Sequence, residues 1–317
     1  MNEEPLQTIR ESSRNVMLIN RRKHREEATD VQRSLKKLRI SSDAVLVIAN
    51  KLKTKSMISS TELQTLKNVL IDDIQNIEVV LNVHGALRGL VRELSGHDVK
   101  KQCEAAGCLC NLALGDAKSG AAVAKAAGAY LVPALDNLTT ELSVTCAWTI
   151  GNLAGSGLKA CELLSAQGAI SKLIEMLRSP AEEIREAVLY ALAHFAYQLK
   201  DNMRVEDLNI ILQSLPNYVT DTSHILFILS CHKDFSCTSL TEDDLLKIIQ
   251  SLIVCIETSS KDNLYLLHLI RVLANLNSKE VYDVAMNSFI THNLCDRLKS
   301  LLSDHKIRDS LLWMLGN

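Results

Sequence analysis

The sequence contains few of the residues that interrupt helices or fill large globular cores. Aromatic residues make up only 4% of the 317 residues, and there are 12 glycines and 4 prolines. No stretch of alternating β-branched residues is long enough to predict a strand. Leu, Ala, Ile and Val are abundant instead, so the composition predicts an all-α protein.

Motifs for catalysis, metal binding and membrane insertion are also missing from the sequence. It has no Gly-rich phosphate loop, nucleophile elbow or metalloprotease helix, so we expect no enzymatic activity, cofactor or small-molecule substrate. Cys103, Cys108 and Cys110 lie in an apolar helical pattern without the spacing of a metal site, so no metal is predicted. The weakly charged stretch at residues 120–135 is too short to span a membrane, and no membrane span is expected.

Charge is unevenly distributed along the chain. Residues 1–40 carry ten Lys and Arg against six Asp and Glu, whereas residues 41–317 have a net charge of -6. The first segment also has no apolar stretch typical of a secretory leader, which favours the cytoplasm and nucleus. Because the two parts have opposite charges, the first could cover the second in cis.

The basic residues of the first segment form two groups without a Gly or Pro between them. They are Arg21, Arg22, Lys23 and Arg25, followed by Lys36, Lys37 and Arg39. This pattern predicts a helical basic arm that binds a protein partner. A solvated helix held by salt bridges, a localisation signal and a nucleic-acid contact are the alternatives, of which nucleic acid is the least expected partner.

A short motif recurs at a nearly fixed interval in residues 41–317. Its clearest copy is Cys146-Ala-Trp148-Thr-Ile-Gly-Asn152-Leu-Ala-Gly155, in which Trp148 and Asn152 share a helix face because they are four residues apart. Related segments align on the Asn152 position at intervals of 41, 42, 81 and 42 residues, which gives the series Asn111, Asn152, His194, Asn275 and Asn317. The double interval predicts a degenerate copy at residues 227–231. A period near 42 residues is typical of helical solenoids.

Glycines mark a second fixed point in each repeat. Gly85, Gly128 and Gly168 precede the aligned position by 26, 24 and 26 residues. Each stands before an apolar pattern with helical spacing and so predicts the corner between a short helix and a middle helix. A polar turn and a longer third helix complete the unit. Residues 41–80 are helical but deviate from the motif, as expected of a capping repeat.

Three helices per unit, a Gly-Ala-Ile corner and Trp-x-x-x-Asn on the third helix together resemble the armadillo repeat. The string around Trp148 and Asn152 is similar to the cargo-binding helix of importin-alpha, the adaptor that carries proteins with basic localisation signals into the nucleus. The resemblance implies a right-handed superhelical armadillo solenoid at residues 41–317 and an importin-beta-binding arm at residues 1–40. The transmembrane and coiled-coil domain-containing family, with the same layout, is an alternative relative.

The resemblance further implies that the third helices line a concave groove for an extended, basic segment of a protein cargo. In that family Trp residues stack on Lys or Arg stems, and Asn amides hold the cargo backbone. The residue types suit these tasks, because an indole attracts a cation and an amide both donates and accepts hydrogen bonds. The implied groove residues here are Trp148, Asn152, Asn111, Tyr190, His194, Trp313 and Asn317. Alternatively, Trp148 is a core residue and Asn152 an internally satisfied amide.

The sequence departs from the importin-alpha pattern at three positions. Gly107 and Arg271 stand where the family pattern has Trp, and Ser156 stands where it has an acidic residue. We therefore expect the groove to bind basic peptides weakly or to prefer a different peptide. The alternative function is an armadillo scaffold or assembly chaperone that binds a non-basic segment without transport activity. The stop at Asn317 falls inside the motif, which fits either a fragment or an array without further repeats.

Overall fold

The computed structural model describes residues 42–199, 202–215, 221–232, 240–258, 264–276, 279–291 and 301–316, together with residues 235, 296 and 299. Within these residues every regular element is an α-helix. The predicted importin-beta-binding residues from Arg21 to Arg39 and the predicted groove residue Asn317 lie outside the described residues.

The described helices range from 8 to 18 residues in length. In chain order they are α1 Ser42–Thr54, α2 Ser60–Asp72, α3 Gln75–Asn82, α4 Ala86–Leu94, α5 Val99–Leu112, α6 Ala117–Ala134, α7 Thr140–Ser156, α8 Leu158–Ala166, α9 Ala169–Met176, α10 Glu182–Leu199, α11 Val205–Ser214, α12 Asp221–Ser230, α13 Glu242–Thr258, α14 Leu264–Asn275, α15 Lys279–Thr291 and α16 His305–Gly316. None of them is both long enough and apolar enough to cross a membrane.

The third helices of successive units form one layer. In this layer α2 packs on α5, α5 on α7, α7 on α10, α10 on α12, α12 on α14, and α14 on α16. The remaining helices of each unit pack behind it, as α4 does on α5 and α9 on α10. Because each unit contacts chiefly its neighbours, the array buries a continuous apolar core without a separate globular centre.

Two of the predicted glycine corners are confirmed. Gly85 between α3 and α4 has a φ of +100°, and Gly168 between α8 and α9 has a φ of +83°. L-residues with a side chain rarely adopt this left-handed conformation, so glycine lets the chain end one helix and begin the next at once. The structure therefore gives these two units the three helices that the sequence predicts.

The prediction for Gly128 is wrong. Gly128 lies inside α6, which runs without interruption through the predicted corner. The segment is rich in Ala, the residue with the highest helix propensity, so the short and middle helices of this unit are fused. A side chain at Gly128 would collide with Gln167, which follows α8. Here glycine allows two segments to approach closely and does not form a turn.

The units beyond α10 also keep the layered order. The degenerate copy predicted at residues 227–231 covers the last turn of α12 and the residue after it, with Cys231 at the aligned position. Ser230, just before that position, accepts a hydrogen bond from Asn275 at 2.7 Å. Before α13, the Thr241 hydroxyl accepts from the Asp244 N–H at 3.1 Å, and the Asp244 carboxylate accepts from the Thr241 N–H at 3.0 Å. This reciprocal capping fixes the start of α13.

Candidate functional site

An aromatic cluster joins the third helices of two consecutive units. Trp148 on α7 and Tyr190 on α10 have ring centroids 4.5 Å apart, with their planes inclined at 44°. His194, one helical turn after Tyr190, meets the Tyr190 ring edge-on at 4.6 Å. All three side chains are half-buried, so part of each ring remains accessible to solvent. The structure therefore brings three predicted groove residues into one patch, which we call the aromatic cluster.

Two glycines of α7 provide the space in which the rings of α10 lie. A Cβ atom on Gly151 would stand 2.6 Å from Cδ1 and Cε1 of Tyr190, and one on Gly155 would stand 2.7 Å from Nδ1 of His194. Both distances are too short for any side chain, so α10 can approach α7 this closely only because these positions are glycine. Gly151 and Gly155 are four residues apart, as are Tyr190 and His194. This shared spacing could have indicated the contact between glycines and rings, but the repeat pattern alone does not predict which residues touch across two helices.

Asn152 is buried, and its amide is already engaged within the protein. Its side chain is 5% exposed, and Nδ2 donates to the Cys110 carbonyl of α5 at 3.2 Å. The Tyr190 hydroxyl donates to Oδ1 of Asn152 at 3.0 Å. Asn152 therefore links three successive third helices. To hold a peptide backbone as the family resemblance implies, the amide would have to share or release these bonds.

Asn111 is held in the same way one unit earlier. It is 3% exposed, and Nδ2 donates to the Lys67 carbonyl of α2 at 2.7 Å. The side chain of Lys67 lies across Gly107, where any Cβ would collide with it. The Lys67 ammonium forms an ion pair with Glu104 at 2.6 Å. A lysine of the chain itself therefore covers the position at which the importin-alpha pattern has a Trp.

Arg271 makes the layer different at its far end. Its guanidinium carbon lies 5.5 Å from the ring centroid of Phe227 on α12, and its Nε donates to the Ser310 hydroxyl of α16 at 3.1 Å. Arg271 stands four residues before Asn275, as Trp148 stands before Asn152. A fixed cation thus occupies the position at which the aromatic cluster has an indole.

Three aromatic rings surround Arg271. His268 stacks on His224 at 4.9 Å and on Phe227 at 5.7 Å. Burial, together with the neighbouring His224 and Arg271, lowers the pKa of His268 to about 3, so its ring is neutral near pH 7. Burial also lowers the pKa of Arg271, but a guanidinium stays protonated in proteins. Arg271 therefore contributes a positive charge to this patch.

Two further positions complete the comparison with the predicted groove. Trp313 lies on α16 and is 46% exposed. This helix is the last one described, so Trp313 lies in a different part of the layer from the aromatic cluster.

Ser156 donates its hydroxyl to the Leu153 carbonyl at 2.7 Å and packs against Gly120 of α6. The position that is acidic in importin-alpha is thus a packing contact here.

The cysteines of the first units are buried or, at Cys103, partly buried. Burial, with a smaller effect of the neighbouring Glu162, raises the pKa of Cys161 to about 12, and burial near Glu141 and Glu104 raises that of Cys103 to about 11. Burial raises the pKa of Cys108 and Cys146 as well. These thiols stay protonated near pH 7 and are weak nucleophiles. Among the residues that the structure describes, no group of three or more His, Cys, Asp or Glu could hold a metal ion.

Comparison with curated proteins finds a relative among the importin subunits. No protein-family model matches the chain. Importin subunit alpha-9 of Arabidopsis thaliana is 26% identical over 275 residues, covering 81% of this chain and 52% of the plant protein. The chain thus spans about half the length of this relative. The match supports an importin-alpha-like protein and gives no support to the transmembrane and coiled-coil domain-containing family.

Solved structures show the fold. An engineered protein matches 86% of this chain with a TM-score of 0.66 and 20% identity, and the match covers 67% of that protein. A designed armadillo repeat protein matches 85% with a TM-score of 0.51 and 16% identity, and 99% of it is covered. At these identities the likeness concerns architecture alone. The chain is an all-α armadillo solenoid, as the sequence predicts, and one of its curated relatives is an importin-alpha.

Proposed function

We propose that this protein is an adaptor that binds an extended segment of a partner protein along the layer of third helices. The observation that carries the proposal is the half-buried aromatic cluster of Trp148, Tyr190 and His194. It joins two adjacent third helices, which pack closely because Gly151 and Gly155 leave room for the rings. Such rings offer a large contact area at a low entropy cost, which suits peptide recognition. The similarity to an importin-alpha supports the same role.

In its specific form the proposal is nuclear import. The aromatic cluster takes the stem of a Lys or Arg from a basic cargo segment, while the basic arm binds importin-beta. An indole attracts a cation through its π face and packs on its methylene groups. The protein would then work in the cytoplasm and nucleus. No catalytic step is part of this function, because the proposed activity consists of binding alone.

Replacing Trp148 by Ala should weaken the binding of a Lys- and Arg-rich peptide about 2- to 30-fold, the loss expected for one cation–π contact of about 0.5 to 2 kcal/mol. The peptide would carry fluorescein, and fluorescence anisotropy would give the dissociation constant. Tyr130→Ala is the control, since this exposed aromatic residue lies on α6, outside the layer of third helices, and it should change the affinity less. Equal affinities of Trp148→Ala and the unmodified chain would place the peptide elsewhere.

A scaffold without transport activity is the second candidate, and specific contacts favour it. The amides of Asn111 and Asn152 are used internally, and Lys67 and Arg271 place positive charge on the layer. Both features reduce the affinity for a basic segment. A scaffold needs neither a preference for basic peptides nor an interaction with importin-beta.

Binding of importin-beta distinguishes the two candidates. If the chain is an import adaptor, the full-length protein should retain purified importin-beta on a resin, and replacing Arg21, Arg22, Lys23 and Arg25 together by Ala should reduce capture by tenfold or more, about 1.4 kcal/mol or more. Replacing the lysines at positions 51, 53 and 55 in the described body is the control, because it removes similar charge outside the arm. Failure to capture importin-beta would favour the scaffold.

A further inference from the structure

The layer of third helices changes chemistry along its length. Around Trp148 it presents aromatic rings, whereas around Arg271 it presents a fixed cation. Both residues occupy the same place in their units, four residues before the aligned Asn. A segment that runs along the layer therefore meets the two chemistries in turn.

The guanidinium of Arg271 is held from two sides. The Phe227 ring of α12 supports its face at 5.5 Å, and the Ser310 hydroxyl of α16 accepts from Nε at 3.1 Å. Arg271 thus spans three successive helices of the layer. Positioning of this kind removes much of the conformational freedom that a long side chain would otherwise lose on binding, so the remaining N–H groups are arranged in advance for a ligand.

The contacts that hold Arg271 are with an aromatic ring and a hydroxyl group. Among the described residues, no carboxylate lies within 4.0 Å of the Arg271 guanidinium. The contrast with Lys67 is direct, because that side chain also lies on the layer but is paired with Glu104. The neighbouring His268 is neutral. Arg271 therefore retains donors suited to a carboxylate from outside the chain.

From this arrangement we propose that Arg271 recognises an acidic side chain, Glu or Asp, in the same extended partner segment that contacts the aromatic cluster. The inference rests on the proposed peptide-binding function and specifies its partner as a segment with an acidic residue at the Arg271 end. We choose an acidic residue because its charge is complementary to that of Arg271. A segment of this kind differs from a localisation signal that is basic throughout.

The distance between Trp148 and Arg271 sets the number of residues between the two recognised side chains of the peptide. Three helix-to-helix steps separate α7 from α14, and at about 8 to 10 Å per step they span about 24 to 30 Å. An extended chain advances about 3.3 Å per residue, so the acidic residue should stand about seven to nine residues from the one on the aromatic cluster.

The test is a binding comparison with three fluorescein-labelled peptides. Each peptide has a Lys-Arg pair, a spacer of about six Gly and Ser residues, and a second pair that is Glu-Glu, Gln-Gln or Lys-Lys. Each is made in two versions, with the Lys-Arg pair before or after the second pair. On the unmodified chain, the Glu peptide of the better order should bind about tenfold more tightly than the Gln peptide, with the Lys peptide weakest. The comparison requires no protein variant, so folding of a variant does not affect it.

Variants then assign the effect to Arg271. In Arg271→Gln the preference for Glu over Gln should disappear, and Arg271→Lys should retain part of it because the charge remains. Circular dichroism would verify that both variants stay helical. Equal affinity for the Glu and Gln peptides, or a preference that persists in Arg271→Gln, would overturn the inference while Trp148-dependent binding still supports the proposed function. If no peptide of the set binds in a Trp148-dependent way, the proposed function itself fails, and the inference with it.

Discussion

Replacing Gly89 by Val should destabilise the N-terminal units by about 3 kcal/mol, near the upper end of the usual overpacking range. Gly89 lies in α4 where that helix crosses α1. A Cβ atom at this position would stand 2.6 Å from the Cβ and carbonyl oxygen of Leu52, and 2.8 Å from its carbonyl carbon. Two of these atoms belong to the backbone, so they cannot rotate away as the end of a long side chain can. The two helices would have to separate, which would expose Leu52.

The control is the same substitution at Gly107 in α5. There the colliding group is the stem of Lys67, whose side chain is 30% exposed and can move outward. Gly107→Val should therefore change the free energy of unfolding by less than about 1 kcal/mol, as the better helix propensity of Val offsets part of the strain. Urea unfolding followed by circular dichroism measures both variants. Similar losses in the two would refute the role assigned to the backbone contact at Leu52.

The repeat and its helix faces could be predicted from the sequence, because they depend on spacing. Residues four apart share a face whatever their partners are, so Trp148 and Asn152 were placed correctly on the third helix. A glycine before an apolar helical pattern predicted the corners at Gly85 and Gly168. The same rule failed at Gly128, because a run of Ala continues a helix and glycine then serves close packing.

The partners of the site residues could not be predicted, since they depend on side chains about one repeat apart. Asn152 donates to Cys110, 42 residues earlier, and Asn111 donates to Lys67, 44 residues earlier. Spacing shows that these residues lie on adjacent helices, but it does not show whether an amide faces a partner or a neighbouring helix. The position of Lys67 over Gly107 likewise depends on the length of one flexible side chain.

These contacts give the 42-residue period a physical meaning. In a globular core the partner of a polar residue can lie at any sequence distance, whereas here the amides of Asn111, Asn152 and Asn275 donate to the preceding third helix. Loss of such a bond leaves a buried polar group unpaired, which costs about 1 to 3 kcal/mol. The stacking of units therefore gives Asn111, Asn152 and Asn275 a structural role that requires no bound peptide. The peptide recognition that we propose relies on partly buried positions of the same helices, such as Trp148 and Arg271.

Replacing Phe195 by Ala should have the largest effect on stability, a loss of about 3 to 5 kcal/mol. Phe195 is fully buried, with 0% exposure, and is the largest of the fully buried side chains in the described residues. It lies on α10, which packs on both α7 and α12. The cavity left by the ring would loosen the helix that carries Tyr190 and His194, so peptide binding at the aromatic cluster should weaken as well. Leu138→Ala is the control, because Leu138 is fully exposed and its loss should cost less than about 0.5 kcal/mol.

Hydrogen exchange resolved by helix shows where the Phe195→Ala protein loses stability. In a linear array each unit is stabilised by its neighbours, so protection should fall first in α7, α10 and α12 and persist in α1 and α4. A single unfolding temperature would conceal this difference, because a repeat array need not unfold in one step. An equal loss of protection in all described helices would instead mean that the array unfolds as one cooperative unit. In that case the relative positions of Trp148 and Arg271 would depend on the stability of the whole array, and not only on that of the units between them.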